Sequence, residues 1–318
     1  MKFPFITALL SGLISIYCLA DEALPNVSKG KIERIEAFQS AYVSERHIDV
    51  WLPPGYTTSL KYDVLYMHDG RMLFDAKTTW NKQEWRIDEV AGQLIEQKQV
   101  RPFIVVAIPN AGPSRHSEFF PQQPFEALPK ATQQAMYQLK RAPQIKLFEQ
   151  KVYSDNYGQF IVKELIPYIE SNFSVNKGHK YRYLAGSSMG GLISWYTLMN
   201  YPNEFAGAIC MSTHWPGTFS AGDPAFAMFK AFIDNNLSKL SAHKIYFDHG
   251  DKTLDAMYPA LQQQIDKVFD KHNYPKQQWR SLFYPGESHT ENSWAKRVSV
   301  PLKFMFSAPS QSNTNSNN

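Results

Sequence analysis

Eight short β-type runs punctuate this chain, and from the third onward they alternate with segments of helical period, which narrows the possible folds more than any other feature. The runs are Ile32 to Ala37, His47 to Leu52, Tyr62 to His68, Phe103 to Pro109, Tyr181 to Gly186, Ala206 to Ser212, Lys244 to Asp248 and Trp279 to Tyr284. Helical patterns are clearest at Asn156 to Ser171, Met189 to Asn200, Asp255 to Lys271 and Ser293 to Phe306. A helix between two strands carries the chain back for a parallel pairing, so the alternation predicts an α/β fold: a mostly parallel eight-stranded sheet with helices on both faces. The first two runs, joined by a short loop, are expected to pair antiparallel at one edge. With 43% hydrophobic residues, including 21 Phe, 17 Tyr and 7 Trp, a core of that size can be filled.

Two segments depart from the alternation. Residues 113–151 form a long connection rich in Pro, Gln and aromatics, expected to act as a lid or pocket wall. The tail, 307–318 (SAPSQSNTNSNN), has the polar, repetitive composition of a disordered end. At the other end, 1–20 reads as a signal peptide: Lys2, an apolar stretch from Phe3 to Ile16, then Cys18-Leu19-Ala20 as a cleavage site. The expected mature protein, 21–306 plus the tail, is periplasmic or secreted and has no further stretch fit to insert stably in a membrane. Cleavage removes Cys18 and leaves Cys210, within the apolar run AGAICMST, as a buried lone thiol. A net charge of +4 with no basic stripe argues against a nucleic-acid partner.

The chemistry-bearing pattern is Gly186-Ser187-Ser188-Met189-Gly190, placed directly after KYRYLAG and directly before MGGLISWYTLM. A serine turned sharply between strand and helix needs small residues two before and two after it, so that the two arms do not collide. Ser188 meets this condition and Ser187, flanked by Ala185 and Met189, does not. A serine hydroxyl attacks only when a base takes its proton, and the base needs a carboxylate to orient it. His289, in the loop after the last strand, is the best-placed histidine. The acid is expected after the seventh strand, where Asp248, Asp251 and Asp255 compete. Asp255 is favoured because it closes the loop at a helix start, with Asp251 second.

A tetrahedral intermediate also needs N–H donors. Met189, opening the helix, and Arg71, in the loop His68-Asp69-Gly70-Arg71, are the candidates. Loops leaving the carboxyl ends of the strands converge over such a serine, and they carry Trp80, Trp85, Phe119, Phe120 and Trp215. An aromatic-lined pocket of this kind predicts a preference for aromatic or bulky esters.

Taken together, YDVLYMHDGRMLFD, WLPPGY, GSSMGG and GESHTENSW resemble the Putative esterase family of α/β-hydrolases, which includes esterase D, feruloyl esterases, enterochelin esterase and mycolyltransferases. The likeness runs over about 30–306. It implies the α/β-hydrolase fold, Ser188 as nucleophile, His289 as base, and the N–H groups of Met189 and Arg71 as oxyanion hole. Joined to the signal-peptide and pocket readings, it leads to the expectation of an exported serine esterase for a small-molecule ester, of aromatic or siderophore type; the alternatives are an acyltransferase using the same acyl-enzyme and a binding protein on this scaffold. Several relatives place the acid three residues after the loop glycine, where this chain has Thr253. No H-e-x-x-H, paired C-x-x-C, Walker loop or G-x-G-x-x-G is present, so no cofactor or metal is expected. Nothing in the sequence speaks to the oligomeric state.

Overall fold

The computed structural model describes residues 23–220, 222, 224–240 and 242–307. The expectations for 1–20 and for the tail beyond Ser307 lie outside the described residues; Ser307, assigned to the tail by composition, is bridged to Val100.

Ten strands run in chain order: β1 Lys31–Phe38, β2 Arg46–Leu52, β3 Asp63–His68, β4 Phe103–Ile108, β5 Lys140–Ala142, β6 Ile145–Lys146, β7 Arg182–Ser187, β8 Gly207–Met211, β9 Lys244–His249 and β10 Trp279–Phe283. Eight of them form one sheet in the order β1-β2-β4-β3-β7-β8-β9-β10, while β5 and β6 make a separate hairpin inside the 113–151 insertion. Pairing is antiparallel for β1 with β2 and for β2 with β4, and parallel from β4 through to β10. The eight runs recognised in the sequence are these eight strands to within one residue at each end. The β5–β6 hairpin was not expected, because KRAPQIK alternates no apolar residues.

The central strands β3, β4 and β8 are nearly continuous apolar runs because both faces are covered, whereas the edge strands β1 and β10 keep exposed polar residues. In β4, Ile104, Val106 and Ile108 belong to one core, whereas Phe103, Val105 and Ala107 belong to the other. The first face carries Met189–Asn200, Ala225–Asn236 and Pro259–Lys271; the second carries Ile87–Glu96 and Ser299–Phe306. Met189–Asn200 is buried along all but its last residue, so the helix behind Ser188 is held from every side. Cys210 is a buried free thiol in β8, and burial pushes its pKa up. No helix among the described residues is long and apolar enough to cross a membrane.

Candidate active site

Ser188 joins β7 to Met189–Asn200 with φ 57° and ψ −124°, a backbone state that a residue with a side chain adopts only when its surroundings enforce it. The enforcement is visible. The Ser188 N–H donates to the Met211 carbonyl at 3.0 Å, and its own carbonyl accepts from Leu192 at 3.1 Å and His214 at 3.2 Å. A methyl on Gly186 would stand 2.6 Å from the Gly190 backbone, so the glycine two residues before the serine is a steric requirement of the turn.

The acid and histidine loops are docked onto each other by backbone. A side chain on Gly250 would meet the Glu287 carbonyl at 2.1 Å, and that carbonyl accepts from Asp251 and Lys252, each at 3.1 Å. Asp251 Oδ1 accepts from Gly286 N at 2.8 Å, and Thr253 Oγ1 accepts from His289 N at 2.9 Å. The residue standing where several relatives carry the acid thus orients the histidine through its backbone. Asp255 is the carboxylate that reaches the ring: its Oδ1 lies 2.6 Å from His289 Nδ1. Its Oδ2 accepts from Ser212 Oγ at 2.7 Å and Gly250 N at 2.6 Å. Burial is the largest influence on the Asp255 carboxyl and pushes it up, but His289, Ser212 and Gly250 together bring it below its usual value. Asp248 instead pairs with Arg297, at 3.0 and 3.2 Å.

His289 stands between two aromatic rings, Trp294 at 5.0 Å and Tyr258 at 5.7 Å, both edge-on. Both escaped the sequence reading, as did Ser212 and Arg297. Trp294 Nε1 and Arg297 Nη2 each donate to Ser212 Oγ at 3.0 Å, which leaves its hydroxyl proton for Asp255. Tyr258 is fully buried, and its hydroxyl lies 2.8 Å from His214 Nδ1. Burial, with neighbouring positive charge, keeps the His214 imidazole well below its usual pKa and therefore neutral. A helix-turn spacing is the one sequence signal available for Trp294 and Arg297, which share a helix, Glu291–Arg297, one turn beyond His289.

In front of Ser188 and His289 opens a cleft of about 840 Å³, on which Arg71, Trp80 and Trp85 also border. The Gly70–Met72 turn is pressed against β4, since a side chain on Gly70 would lie 2.7 Å from the Ala107 and Ile108 backbone. Before it, Asp69 is left-handed (φ 57°) and its carboxylate accepts from Asn110 at 2.6 Å and from Arg115 at 2.6 and 2.7 Å. Met189 opens its helix, where first-turn N–H groups have no intrahelical acceptor.

Three residues expected at the pocket lie elsewhere. Phe119, Phe120 and Trp215 are fully buried. Phe119 packs on His68 and Tyr157, and Phe120 packs among Phe125, Phe148 and Phe229. Trp215 stacks on Trp195 and donates to Gln262 at 2.7 Å. The short helix Arg115–Phe119 explains the error: it turns its aromatic end into the core and its first residue toward the cleft. The insertion does wall the cleft, but with Arg115 and Arg141 rather than with rings.

An α/β sheet of this order, with a strained serine at the end of a central strand, defines the α/β-hydrolase class. The chain belongs to the family described as Putative esterase, whose model matches residues 40–302. It is 22% identical over 187 residues to an uncharacterized Bacillus subtilis (strain 168) protein, YjcH, covering 58% of this chain and 62% of that one. The chain thus spans a little under two thirds of that relative's length. Among solved structures it resembles a ferulic acid esterase from Anaeromyces mucronatus (TM-score 0.59, 16% identity, 91% of this chain and 94% of that one). It also resembles the enterobactin esterase of Shigella flexneri (TM-score 0.61, 14% identity, 88% and 60%).

Proposed function

We propose that this protein hydrolyses carboxylic esters through an acyl-enzyme on Ser188, with His289 as base and Asp255 as its partner. The observation that carries the reading is the 2.6 Å contact between Asp255 Oδ1 and His289 Nδ1. A carboxylate held ionised can only accept, so Nδ1 carries the proton and Nε2 keeps its lone pair toward the cleft that Ser188 shares. His289 Nε2 takes the Ser188 proton as Oγ bonds to the carbonyl carbon; the N–H groups of Met189 and Arg71 receive the oxyanion. The C–O bond then breaks and the same proton goes to the leaving alcohol. Water, deprotonated by His289, attacks the acyl-serine and releases the acid.

Replacing Ser188 with Ala is expected to lower hydrolysis of an activated short ester by a factor of about 10⁴ to 10⁶ and to abolish fluorophosphonate labelling, with the melting temperature retained. If Ser188→Ala remained active while Ser187→Ala did not, the assignment of the nucleophile would fall. Export follows from the composition of 1–20, and an intact mass beginning at Asp21 with one titratable thiol is the outcome expected of protein recovered outside the cytoplasm.

A further inference from the structure

Polar and aromatic side chains line the cleft. Among the described residues Met72 is the single non-aromatic apolar side chain in its lining.

Its two sides differ in charge and chemistry. The side bearing His289 is held together by Asn81 Nδ2 donating to Glu291 at 2.8 Å and by Trp85 against Trp294 at 5.2 Å. The other side, built on the Asp69 loop and the insertion, presents the guanidinium groups of Arg71, Arg115 and Arg141. Among the described residues the lining holds the guanidinium groups of Arg71, Arg115 and Arg141 and the carboxylates of Asp69 and Glu291, and Asp69 is bound by Arg115. Arg115 spends Nε and Nη2 on Asp69, and its Nη1 has no hydrogen-bond partner among the described residues. Arg141 is exposed on β5 and makes no hydrogen bond or ion pair among the described residues. In the cleft lining Trp80 is 85% exposed, a flat face with no ring or cation stacked on it among the described residues.

The reaction fixes which part of the ester lies where. His289 must deliver its proton to the leaving oxygen, so the alcohol lies along the His289 side and the acyl group faces the arginines. We propose, on the basis of the esterase reading above, that the acyl group transferred to Ser188 carries a carboxylate at its far end, received by Arg141 with Nη1 of Arg115. Guanidinium is suited to that partner because its planar fork matches the two carboxylate oxygens.

The test compares two rigid esters on the full chain: the 4-nitrophenyl esters of 4-carboxybenzoic and 4-carbamoylbenzoic acid, alike in size and leaving group. The charged ester is expected to show a kcat/KM about tenfold above the amide at low ionic strength, with the ratio shrinking as salt is raised. Arg141→Gln should bring the ratio down by at least about threefold, Arg141→Lys should retain most of it, and Arg141→Glu should invert it. A second pair, the acetates of 4-hydroxybenzoic acid and 4-hydroxybenzamide, places the charge on the alcohol and should show no preference. Equal rates on the first pair, or a preference confined to the second, would overturn the inference while leaving the esterase standing. Failure to turn over any of the four, with no labelling of Ser188, would remove the esterase reading and this inference together.

Discussion

Two carboxylates at the end of β9 share almost everything except their counter-ion. Asp248 and Asp255 are both fully buried, and both touch Ser212: its N–H donates to Asp248 Oδ1 at 3.2 Å and its hydroxyl to Asp255 Oδ2 at 2.7 Å. Asp248 faces the permanent cation Arg297, whereas Asp255 faces the titratable ring of His289. A guanidinium cannot give up its proton near neutrality, so the first pair can only hold structure; an imidazole can, so the second can move a proton during a reaction. On the proposed mechanism, two aspartates seven positions apart are thereby divided between scaffold and chemistry by their partners.

The largest effect that can break this division is an exchange of consequences between two isosteric variants. Asp255→Asn keeps an acceptor for Ser212 and Gly250 but presents an amide to His289, favouring the tautomer that cannot accept the serine proton. Ester hydrolysis should fall by about 10⁴ while stability changes by no more than about 1 kcal/mol. Asp248→Asn should do the reverse: its amide NH2 takes the place of an oxygen that accepts from Arg297 and from Tyr246 or Ser212, leaving buried donors unsatisfied at a cost of about 1 to 3 kcal/mol, with activity per folded molecule within about tenfold of the parent. Denaturant titration and kcat on both variants decide it. If Asp248→Asn were the inactive, stable one, the roles would have to be exchanged.

A smaller effect sharpens the link between the pair. Ser212→Ala removes the hydroxyl that accepts from Trp294 and Arg297 and donates to Asp255. Both functions should suffer moderately: about 1 to 2 kcal/mol of stability from the unsatisfied donors, and about tenfold in kcat from a less firmly held carboxylate, with KM little changed. A loss confined to stability would show that Asp255 is adequately held by Gly250 alone.

How far the sequence disclosed this arrangement depends on the range of the interaction. Strands β3, β4 and β8 were readable because a strand buried on both faces is a continuous apolar run bounded by turn residues, and the edge strands β1 and β10 because short β-type runs of mixed polarity stand between turn signals. Ser188 was readable because the steric rule for its turn is local, spanning Gly186 to Gly190. The choice among Asp248, Asp251 and Asp255 was narrowed by chain order but not closed, since it depends on the loop after β9 docking on the loop before Glu291–Arg297, more than 30 residues away by chain. Ser212, Tyr258 and Arg297 join the site through contacts of that kind and leave no mark in the local pattern. Trp80 and Trp85 do border the cleft, but Phe119 and Phe120 were misplaced for a related reason: which side of the five-residue helix Arg115–Phe119 faces the core is decided by packing.

The smallest expected effect is also the one that compares the two carboxylates by a single measurement, the dependence of stability on pH. Hydrogen bonds and the histidine hold the Asp255 carboxyl below its ordinary value of 3.8 despite burial. In the window below 3.8 the unfolded chain therefore binds more protons at this position than the folded one, and Asp255 contributes stability that is lost as pH falls through its folded value. For Asp248 the sign is opposite. Burial outweighs Arg297 and raises its carboxyl above the ordinary 3.8, so between that value and its raised one the folded state takes up the proton first. Its contribution is fully present below 3.8 and is lost as pH rises through the raised value. Relative to the parent, Asp255→Asn should flatten the acid limb of a stability profile taken from pH 3 to 7, and Asp248→Asn should steepen it just above pH 3.8. Thermal or urea unfolding of the parent and both variants across that range reads the difference directly. Profiles displaced in parallel, with no change of slope in either variant, would mean that neither carboxyl changes its affinity for protons on folding, and the contrast in counter-ions would then have no electrostatic consequence.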